Sequence, residues 1–229
     1  AAAGRPRARA AIIGEPTSLN PVRLHKGIMM EAIEVTGLAG HSSNPALGIN
    51  ALDVMHELMS ELMLFRRQLA TEHTNSAFEV AFPTLNLGCI HGGDSPNRIC
   101  GRCELHFDLR LTPSAAAAGV REQLQQRLQA LAQARGAGIA LRSLVEPVPP
   151  FEQVAHSELV RLAEKLTGHS ALAVGFATEA PFLQAMGMET IVMGPGSIDR
   201  AHQPDEYLEL SQIQPCVDLL QSCIAHYCL

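Results

Sequence analysis

The sequence predicts an α/β fold in which a parallel-sheet domain is interrupted by a smaller α+β domain with four strands. After residue 150, short apolar runs alternate with helical patterns, which is typical of a parallel sheet. The middle of the 229-residue chain instead reads strand, helix, strand, strand, helix, strand. Prolines at 147, 149 and 150 separate the two patterns. We therefore expect residues 1–26 and 147–229 to form one domain and residues 27–146 to form the inserted domain.

The first elements follow from apolar runs and helical periodicity. Ala10–Gly14 is a short continuous apolar run and predicts a buried strand. Gly27–Gly37 is rich in strand-forming residues and predicts the next strand. Asn50–Leu69 repeats apolar residues every three or four positions, and this spacing predicts a long amphipathic helix.

The inserted domain continues with two strands, Pro83–Ile90 and Ile99–Leu111, on either side of a segment rich in turn residues. The second strand alternates, so that we expect one apolar face and one charged face. The apolar face comprises Leu105, Phe107, Leu109 and Leu111, and the charged face Glu104, His106, Asp108 and Arg110. A helix that opens at Pro113–Ser114 and ends at Gly136, and a strand over Ile139–Val145, complete the domain.

The C-terminal part is predicted to alternate helices with strands. The predicted elements are helix Ser157–Leu166, strand Ala171–Val174, helix Pro181–Met186, strand Thr190–Met193 and helix Ser211–Cys228. Ser211 and Gln214 have the spacing of a capping box at the start of the last helix.

Composition excludes several classes of protein. Apolar residues make up 47%, and no run approaches the ~18 apolar positions of a membrane span. The net charge is −6 and no basic stripe is visible, so we expect neither a nucleic-acid nor a membrane partner. Six cysteines are too few for a dense disulfide framework, and no signal-peptide core follows the first arginines. These features predict a cytoplasmic protein.

Two polar residues follow predicted strand ends, where open α/β sheets bind ligands. Glu15 comes directly after the first strand, and His202 lies in the loop that follows Thr190–Met193. A carboxylate and an imidazole suit zinc, but catalytic zinc takes about three protein ligands. The acidic neighbours Glu179, Asp199, Asp205 and Glu206 do not identify a third. A carboxylate that caps a helix and a solvated loop histidine remain the alternatives.

Other motifs have both a functional and a structural interpretation. His41 has no evident structural duty, whereas Ser42 and Ser43 after it favour N-caps of the long helix. Cys100 and Cys103 form only half of a zinc-ribbon pattern, so we interpret them as ordinary thiols. Arg110 favours an ion pair on its strand, although a guanidinium also suits a substrate carboxylate.

Seven short motifs follow one another from about residue 11 to the end of the chain. They are Ile13–Thr17 (IGEPT), His25–Gly27 (HKG), Gly40–Ser43 (GHSS), Pro83–Gly88 (PTLNLG), Asn97–Cys100 (NRIC), Phe176–Pro181 (FATEAP), and GPGS at 194–197 with AHQPDEY at 201–207. In this order they resemble the zinc aminoacylase/carboxypeptidase family, and within it the acetylornithine deacetylases.

The resemblance implies a homodimer whose dimerisation domain is residues 27–146, beside a catalytic α/β domain. It implies that Glu15 and His202 each bind one of two zinc ions, with cobalt also compatible. It further implies that His41 stabilises the oxyanion in the partner subunit's site, and that Lys26, Asn97, Arg110 and Thr178 hold an N-acyl amino acid. The implied reaction is hydrolysis of N2-acetyl-L-ornithine to L-ornithine and acetate by zinc-activated water, in arginine biosynthesis.

The chain also departs from that family. The bridging aspartate, the first zinc histidine and the paired glutamates of the general base precede the matching segment, and this chain contains none of them. We therefore expect a C-terminal portion that is inactive alone. The acyl group stays open, because residues outside the chain help to build its pocket. Succinyl-diaminopimelate desuccinylase, another N-acyl-amino-acid amidohydrolase and a non-catalytic dimerisation module remain alternatives.

Overall fold

The structure, a computed structural model, describes residues 8–229 and divides them into two compact units. The first unit comprises the described chain up to Lys26, Ala77–Glu79 and Pro150–Leu229. The second unit comprises Gly27–Ser76 and Val80–Pro149.

The secondary structure of residues 8–229 contains both helices and strands in each unit. The strands are β1 Ala10–Ile13, β2 Val22–His25, β3 Gly27–Thr36, β4 Gly40–His41, β5 Thr84–Gly92, β6 Arg98–Ile99, β7 Arg102–Leu111, β8 Gly138–Ser143, β9 Phe151–Glu152, β10 Leu172–Val174 and β11 Glu189–Val192. The helices are α1 Ala51–Glu72, α2 Ala117–Ala134, α3 Glu158–Thr167, α4 Ala180–Ala185 and α5 Ile213–Cys228.

The first unit is built on a sheet with the order β1-β11-β2-β10, to which β9 adds beside β2. The pairs β1 with β11 and β2 with β10 are parallel, as the alternation of helices and strands predicts. The sheet is nevertheless mixed, because β2 is antiparallel to β11 and to β9. No sequence pattern predicts β2, because its four residues include Arg23 and His25 and therefore show no apolar run.

Helix α3 packs on this sheet with its ends satisfied by local contacts. The Ser157 hydroxyl oxygen accepts the backbone N–H of Val160, and Gly168 ends the helix at φ 74°. The capping box predicted for the last helix is wrong. A 3-10 turn at Leu210–Gln212 precedes α5 instead, and no side chain caps it.

The second unit contains a four-stranded antiparallel sheet, which confirms the predicted α+β arrangement. Its order is β5-β7-β3-β8, and β3 pairs with β7 over ten residues. Helices α1 and α2 bury their apolar sides together with one face of this sheet. The alternation predicted for β7 is confirmed, because its apolar side chains are buried and its polar ones partly exposed. The opposite, polar face of the sheet is called the open face below.

One carboxylate is buried on the helix-covered face. The side chain of Glu31 in β3 is inaccessible, and its two oxygens accept from Nε and Nη2 of Arg121 in α2 at 3.0 and 3.3 Å. The Ser143 hydroxyl donates to Glu31 Oε1 at 2.8 Å. This group of bonds joins α2 to two strands of the sheet.

Within residues 8–229, no helix combines the length and the apolar character needed to cross a bilayer.

Candidate functional site

The loops that carry Glu15 and His202 begin at neighbouring strand ends. β1 and β11 pair in parallel up to Ile13 and Val192. The loops that follow the two strands therefore begin at the same end of the sheet. The backbone N–H of Gly194 donates to Thr17 Oγ1 at 3.1 Å, and the N–H of Thr17 donates to the Gly194 carbonyl at 3.3 Å. Hydrogen bonds therefore fasten the two loops to each other beyond the ends of their strands.

Gly194 allows this close approach because it has no side chain. A Cβ atom built there would lie 2.6 Å from backbone atoms of Gly14 and Glu15. His202 lies farther along the same loop, at φ 61°, with an exposed side chain. Its backbone N–H donates to Glu206 Oε2 at 3.1 Å, so this acidic neighbour stabilises the turn.

Residues 8–229 do not by themselves provide the donor set of a metal centre. Glu15 is half-buried and His202 is exposed, which leaves both donor types accessible. Among residues 8–229, however, no three His, Cys, Asp or Glu side chains are arranged to hold one ion. Two donors are fewer than the three protein ligands of a typical catalytic zinc site.

A buried histidine joins two of the predicted substrate-binding residues. His25 ends β2 and is fully buried, with its ring centroid 5.2 Å from that of Phe151. Its Nδ1 donates to the Lys26 carbonyl at 2.9 Å, and the Thr178 backbone N–H donates to its Nε2 at 3.3 Å. A carbonyl only accepts and a backbone N–H only donates. The imidazole is therefore neutral, with its proton on Nδ1.

Burial also shifts the pKa values of His25 and Lys26. Desolvation disfavours the charged imidazolium and lowers the pKa of His25, although backbone hydrogen bonds and the charge of Glu179 oppose the shift. Burial likewise lowers the pKa of Lys26, whose ammonium lies 5.8 Å from the centre of the Phe78 ring. The sequence analysis singled out Lys26 and Thr178 but missed His25, although it lies inside the HKG motif.

In the second unit, His41 and Asn97 belong to neighbouring backbone segments. β4 pairs with β6 so that His41 lies opposite Arg98, and the Ser42 backbone N–H donates to the Asn97 carbonyl at 3.1 Å. The expected helix cap at Ser42 or Ser43 is wrong. The Asn50 side chain caps α1 instead, and Ser43 bonds to His41 Nδ1 through its N–H and its hydroxyl.

Arg110 lies on the open face, where it forms the ion pair that the sequence favours. Its Nε donates to Asp108 Oδ2 at 2.8 Å, and both side chains are 28% exposed. In register, Arg110 lies between Thr84 of β5 and Ile28 of β3. The thiols of Cys100 and Cys103, at the other end of β7, are free and buried, and burial raises the pKa of Cys103. Both side chains belong to the apolar core of the second unit.

The middle of the chain matches one known family model. Residues 23–135 match the M20 model described as the peptidase dimerisation domain. The chain thus carries an M20 peptidase dimerisation domain. Its resemblance to the acetylornithine deacetylase group is also confirmed by curated relatives. The chain is 48% identical over 217 residues to an acetylornithine deacetylase of Edwardsiella ictaluri, and 45% identical over 218 residues to one of Pasteurella multocida.

These relatives are much longer than the matched region. Each match covers 95% of this chain but only 56% or 57% of the relative, so the chain spans little more than half of their length. A tripeptidase from Staphylococcus aureus shares the fold, with a TM-score of 0.73 at 17% identity over 96% of this chain and 57% of its own. A hydantoinase/carbamoylase family amidase from Burkholderia multivorans gives 0.63 at 20% identity, over 99% of this chain and 56% of its own.

Proposed function

We propose that the chain is a portion of a cytoplasmic hydrolase that removes the acetyl group from N2-acetyl-L-ornithine in arginine biosynthesis. The observation that carries this proposal is the identity of 45% and 48% over 95% of the chain to proteins named acetylornithine deacetylase. The M20 domain supports the coarser assignment to the hydrolases. The acyl group is the finer part of the proposal.

The proposed substrate contacts follow from the chemistry that each side chain offers. Arg110 uses only Nε for Asp108, which leaves both terminal nitrogens for a substrate carboxylate. Lys26 and Thr178, tied together through His25, bind other polar groups of the substrate. Asn97 offers an amide, and His41 donates a hydrogen bond to the oxyanion that forms when water attacks the acyl carbon. One such donor typically contributes about 2.7–4 kcal/mol to catalysis.

Glu15 and His202 supply donors of the kinds that zinc or cobalt accepts, each as ligand to a different ion of the proposed pair. The other ligands and the general base then come from outside the 229 residues, since no complete donor set exists within the described part. We therefore expect the chain alone to catalyse no hydrolysis.

The proposed partner is a second copy of the chain, bound through residues 27–146. The M20 domain supports this, because its family is named for dimerisation. In addition, β5 is an edge strand that pairs on one side only, and unpaired edges favour association with another chain. Ile90 on β5 and Leu52 at the start of α1 expose 46% and 40% of their surfaces.

The test is hydrolysis by the longest polypeptide that the gene encodes. We expect turnover of N2-acetyl-L-ornithine, loss of turnover with a chelator, and recovery with added zinc or cobalt. N-succinyl-diaminopimelate serves as the competing substrate. Preference for the succinyl compound would assign the chain to a desuccinylase and contradict the proposed acyl specificity.

A second candidate is a dimerisation module without catalytic activity. The absence of a three-donor group within residues 8–229 favours it. This candidate predicts a stable dimer and no hydrolysis of any N-acyl amino acid by the longest encoded polypeptide. The same assay therefore separates the two candidates.

A further inference from the structure

The candidate site residues His41 and Asn97 each lie two residues from a serine. In each case the serine forms a hydrogen bond with the side-chain atom that can accept one. His41 is followed by Ser43, and Asn97 is preceded by Ser95. Both pairs flank the two-stranded sheet of β4 and β6 in the second unit. The contacts of these serines decide which hydrogen-bonding atoms His41 and Asn97 present outward.

For His41, the bonds at Nδ1 fix the tautomer of the neutral ring. The backbone N–H of Ser43 donates to Nδ1 at 3.2 Å, and the Ser43 hydroxyl oxygen lies 2.8 Å from the same atom. A backbone N–H is only a donor, so Nδ1 is the acceptor and the single ring proton is on Nε2. Within residues 8–229, Nε2 has no hydrogen-bond partner, and the side chain is exposed.

For Asn97, the corresponding bond occupies the amide oxygen. The Ser95 hydroxyl donates to Asn97 Oδ1 at 2.6 Å. The Nδ2 group then keeps both of its N–H donors for another molecule, since no described residue bonds to it. His41 and Asn97 therefore present the same kind of group, an N–H donor, and their backbones are joined by the bond from Ser42 to Asn97.

We propose that Ser43 and Ser95 are positioning residues that fix His41 and Asn97 as hydrogen-bond donors toward an oxygen acceptor of a bound molecule, such as an amide carbonyl or a carboxylate. The proposal rests on the proposed function, in which His41 and Asn97 contact substrate. The other tautomer of His41 would direct a nitrogen lone pair at the substrate oxygen and repel it. The hydroxyl of Ser43 therefore acts through His41 and needs no contact with the substrate.

Ser42 provides a matched control. It is the neighbouring serine, and its side chain forms no hydrogen bond in the part of the chain that the structure describes. A Ser42→Ala variant keeps the backbone bond to Asn97, because that bond uses the N–H. Any general effect of replacing a serine in this loop therefore appears in both Ser42→Ala and Ser43→Ala. An effect on His41 alone appears only in Ser43→Ala.

The first experiment records imidazole ¹⁵N resonances of the ¹⁵N-labelled chain at about pH 8.5, well above the ordinary histidine pKa of about 6.5. A His41→Gln variant assigns the signals. We expect a single form of His41 with Nε2 protonated in the unchanged chain, in Ser42→Ala and in Ser43→Thr. We expect the form protonated at Nδ1 to gain population in Ser43→Ala, because this variant loses the shorter bond to Nδ1 and keeps only the backbone N–H at 3.2 Å. Protonation at Nδ1 in the unchanged chain, or identical spectra of Ser42→Ala and Ser43→Ala, would overturn the inference for His41.

The Asn97 side-chain amide is followed in the same samples. We expect Ser95→Ala to shift the Nδ2 resonances of Asn97, and Ser95→Thr to restore them. Nδ2 resonances that do not move in Ser95→Ala would overturn the inference for Asn97.

The second experiment measures kinetics with the longest polypeptide that the gene encodes. We expect Ser43→Ala to lower kcat about tenfold with little change in KM, as for partial loss of an oxyanion donor, and Ser43→Thr to restore it. Ser42→Ala keeps the unchanged kcat. If the NMR result holds but Ser43→Ala and Ser42→Ala have equal kcat, the proposed catalytic role of His41 is wrong, and the control of its tautomer by Ser43 stands.

Discussion

Asp108 holds Arg110 by a single hydrogen bond between residues two apart on the open face of β7. Nε of the guanidinium is used, and the second carboxylate oxygen of Asp108 is buried without a hydrogen-bond partner among residues 8–229. An orphaned buried acceptor typically costs about 1–3 kcal/mol. The Asp108–Arg110 pair therefore contributes little to stability. We interpret its role as orienting the Arg110 guanidinium.

The first prediction concerns this guanidinium. Arg110→Lys keeps the charge but loses the two parallel N–H groups that match a carboxylate. We expect KM for N2-acetyl-L-ornithine to rise about 10- to 100-fold in the longest encoded polypeptide, corresponding to one or two charge-assisted bonds. Arg102→Lys, on the same strand and paired with Glu34, is the control and should leave KM within twofold. Equal KM values for the two variants would contradict the assignment.

The second prediction concerns the buried carboxylate of Glu31. Arg121→Ala leaves this charge without its partner, so we expect the free energy of unfolding of the chain in urea to fall by about 3 kcal/mol. Arg135→Ala breaks the more exposed pair with Glu57 and should lower it by less than about 1 kcal/mol. A small loss for Arg121→Ala would show that water reaches Glu31.

The third prediction is a pH dependence of stability that arises from His25. Its pKa in the folded chain is lowered below the ordinary value of about 6.5, so the unfolded chain binds the proton more readily. The stabilisation is complete above about pH 6.5 and is lost as the pH falls below it. Protonation would also place an N–H at Nε2 against the backbone N–H of Thr178. The charge that acts on the ring is that of Glu179, which raises the pKa and opposes the effect of burial.

The measurement compares urea unfolding of the unchanged chain and of His25→Gln at pH 7.5 and pH 5.5. We expect the unchanged chain to lose more free energy of unfolding between the two pH values than the variant does. His169→Gln, at an exposed position, should behave like the unchanged chain. If the loss is the same in the unchanged chain and in His25→Gln, His25 is not the titrating group.

The fourth prediction concerns association of the chain. Ile90→Lys places a charge on the edge strand β5, and we expect the dimer dissociation constant to rise at least about tenfold, since a buried charge is strongly unfavourable. Ile224→Lys changes an exposed isoleucine of α5 in the first unit and should leave that constant unchanged. Sedimentation equilibrium measures both. A monomeric unchanged chain would contradict the proposed homodimer.

The fifth prediction concerns the thiols. Cys89 and Cys228 are exposed and should react first with a thiol reagent. Cys100, Cys103 and Cys223 are buried, and burial raises the pKa of the last two, so less of the reactive thiolate is available. Mass spectrometry of the alkylated chain, before and after unfolding, gives the order. Early labelling of Cys103 would show that the sheet of the second unit opens.

Long periodic elements could be predicted from the sequence because many residues repeat one signal. Helix α1 and strand β7 were predicted within a few residues of their observed ends. Strand β2 has too few residues for any such pattern, and only its partners β10, β11 and β9 stabilise it. The predicted caps at Ser211 and Ser43 fit the local rules, yet the chain uses a 3-10 turn and a histidine contact instead.

The candidate site shows the same division. Motifs indicate Glu15, Lys26, His41 and Arg110 as candidates without coordinates. The role of His25 depends on Thr178, 153 residues away in the chain, and no local pattern reports a bond between them. The bond of Ser43 to His41 and the use of only Nε of Arg110 by Asp108 could not be predicted for another reason: each concerns one atom of a neighbouring side chain, which only atomic positions reveal.

The bare backbone at Gly194 makes the region of Glu15 and His202 vulnerable to a single methyl group. An alanine there would collide with the peptide that precedes Glu15 and push the two loops apart, with both proposed metal ligands still in the chain. In an activity assay, such a variant would resemble one that lacks Glu15 or His202. A mutational study of this region should therefore include Gly194 together with the residues that carry nitrogen and oxygen donors.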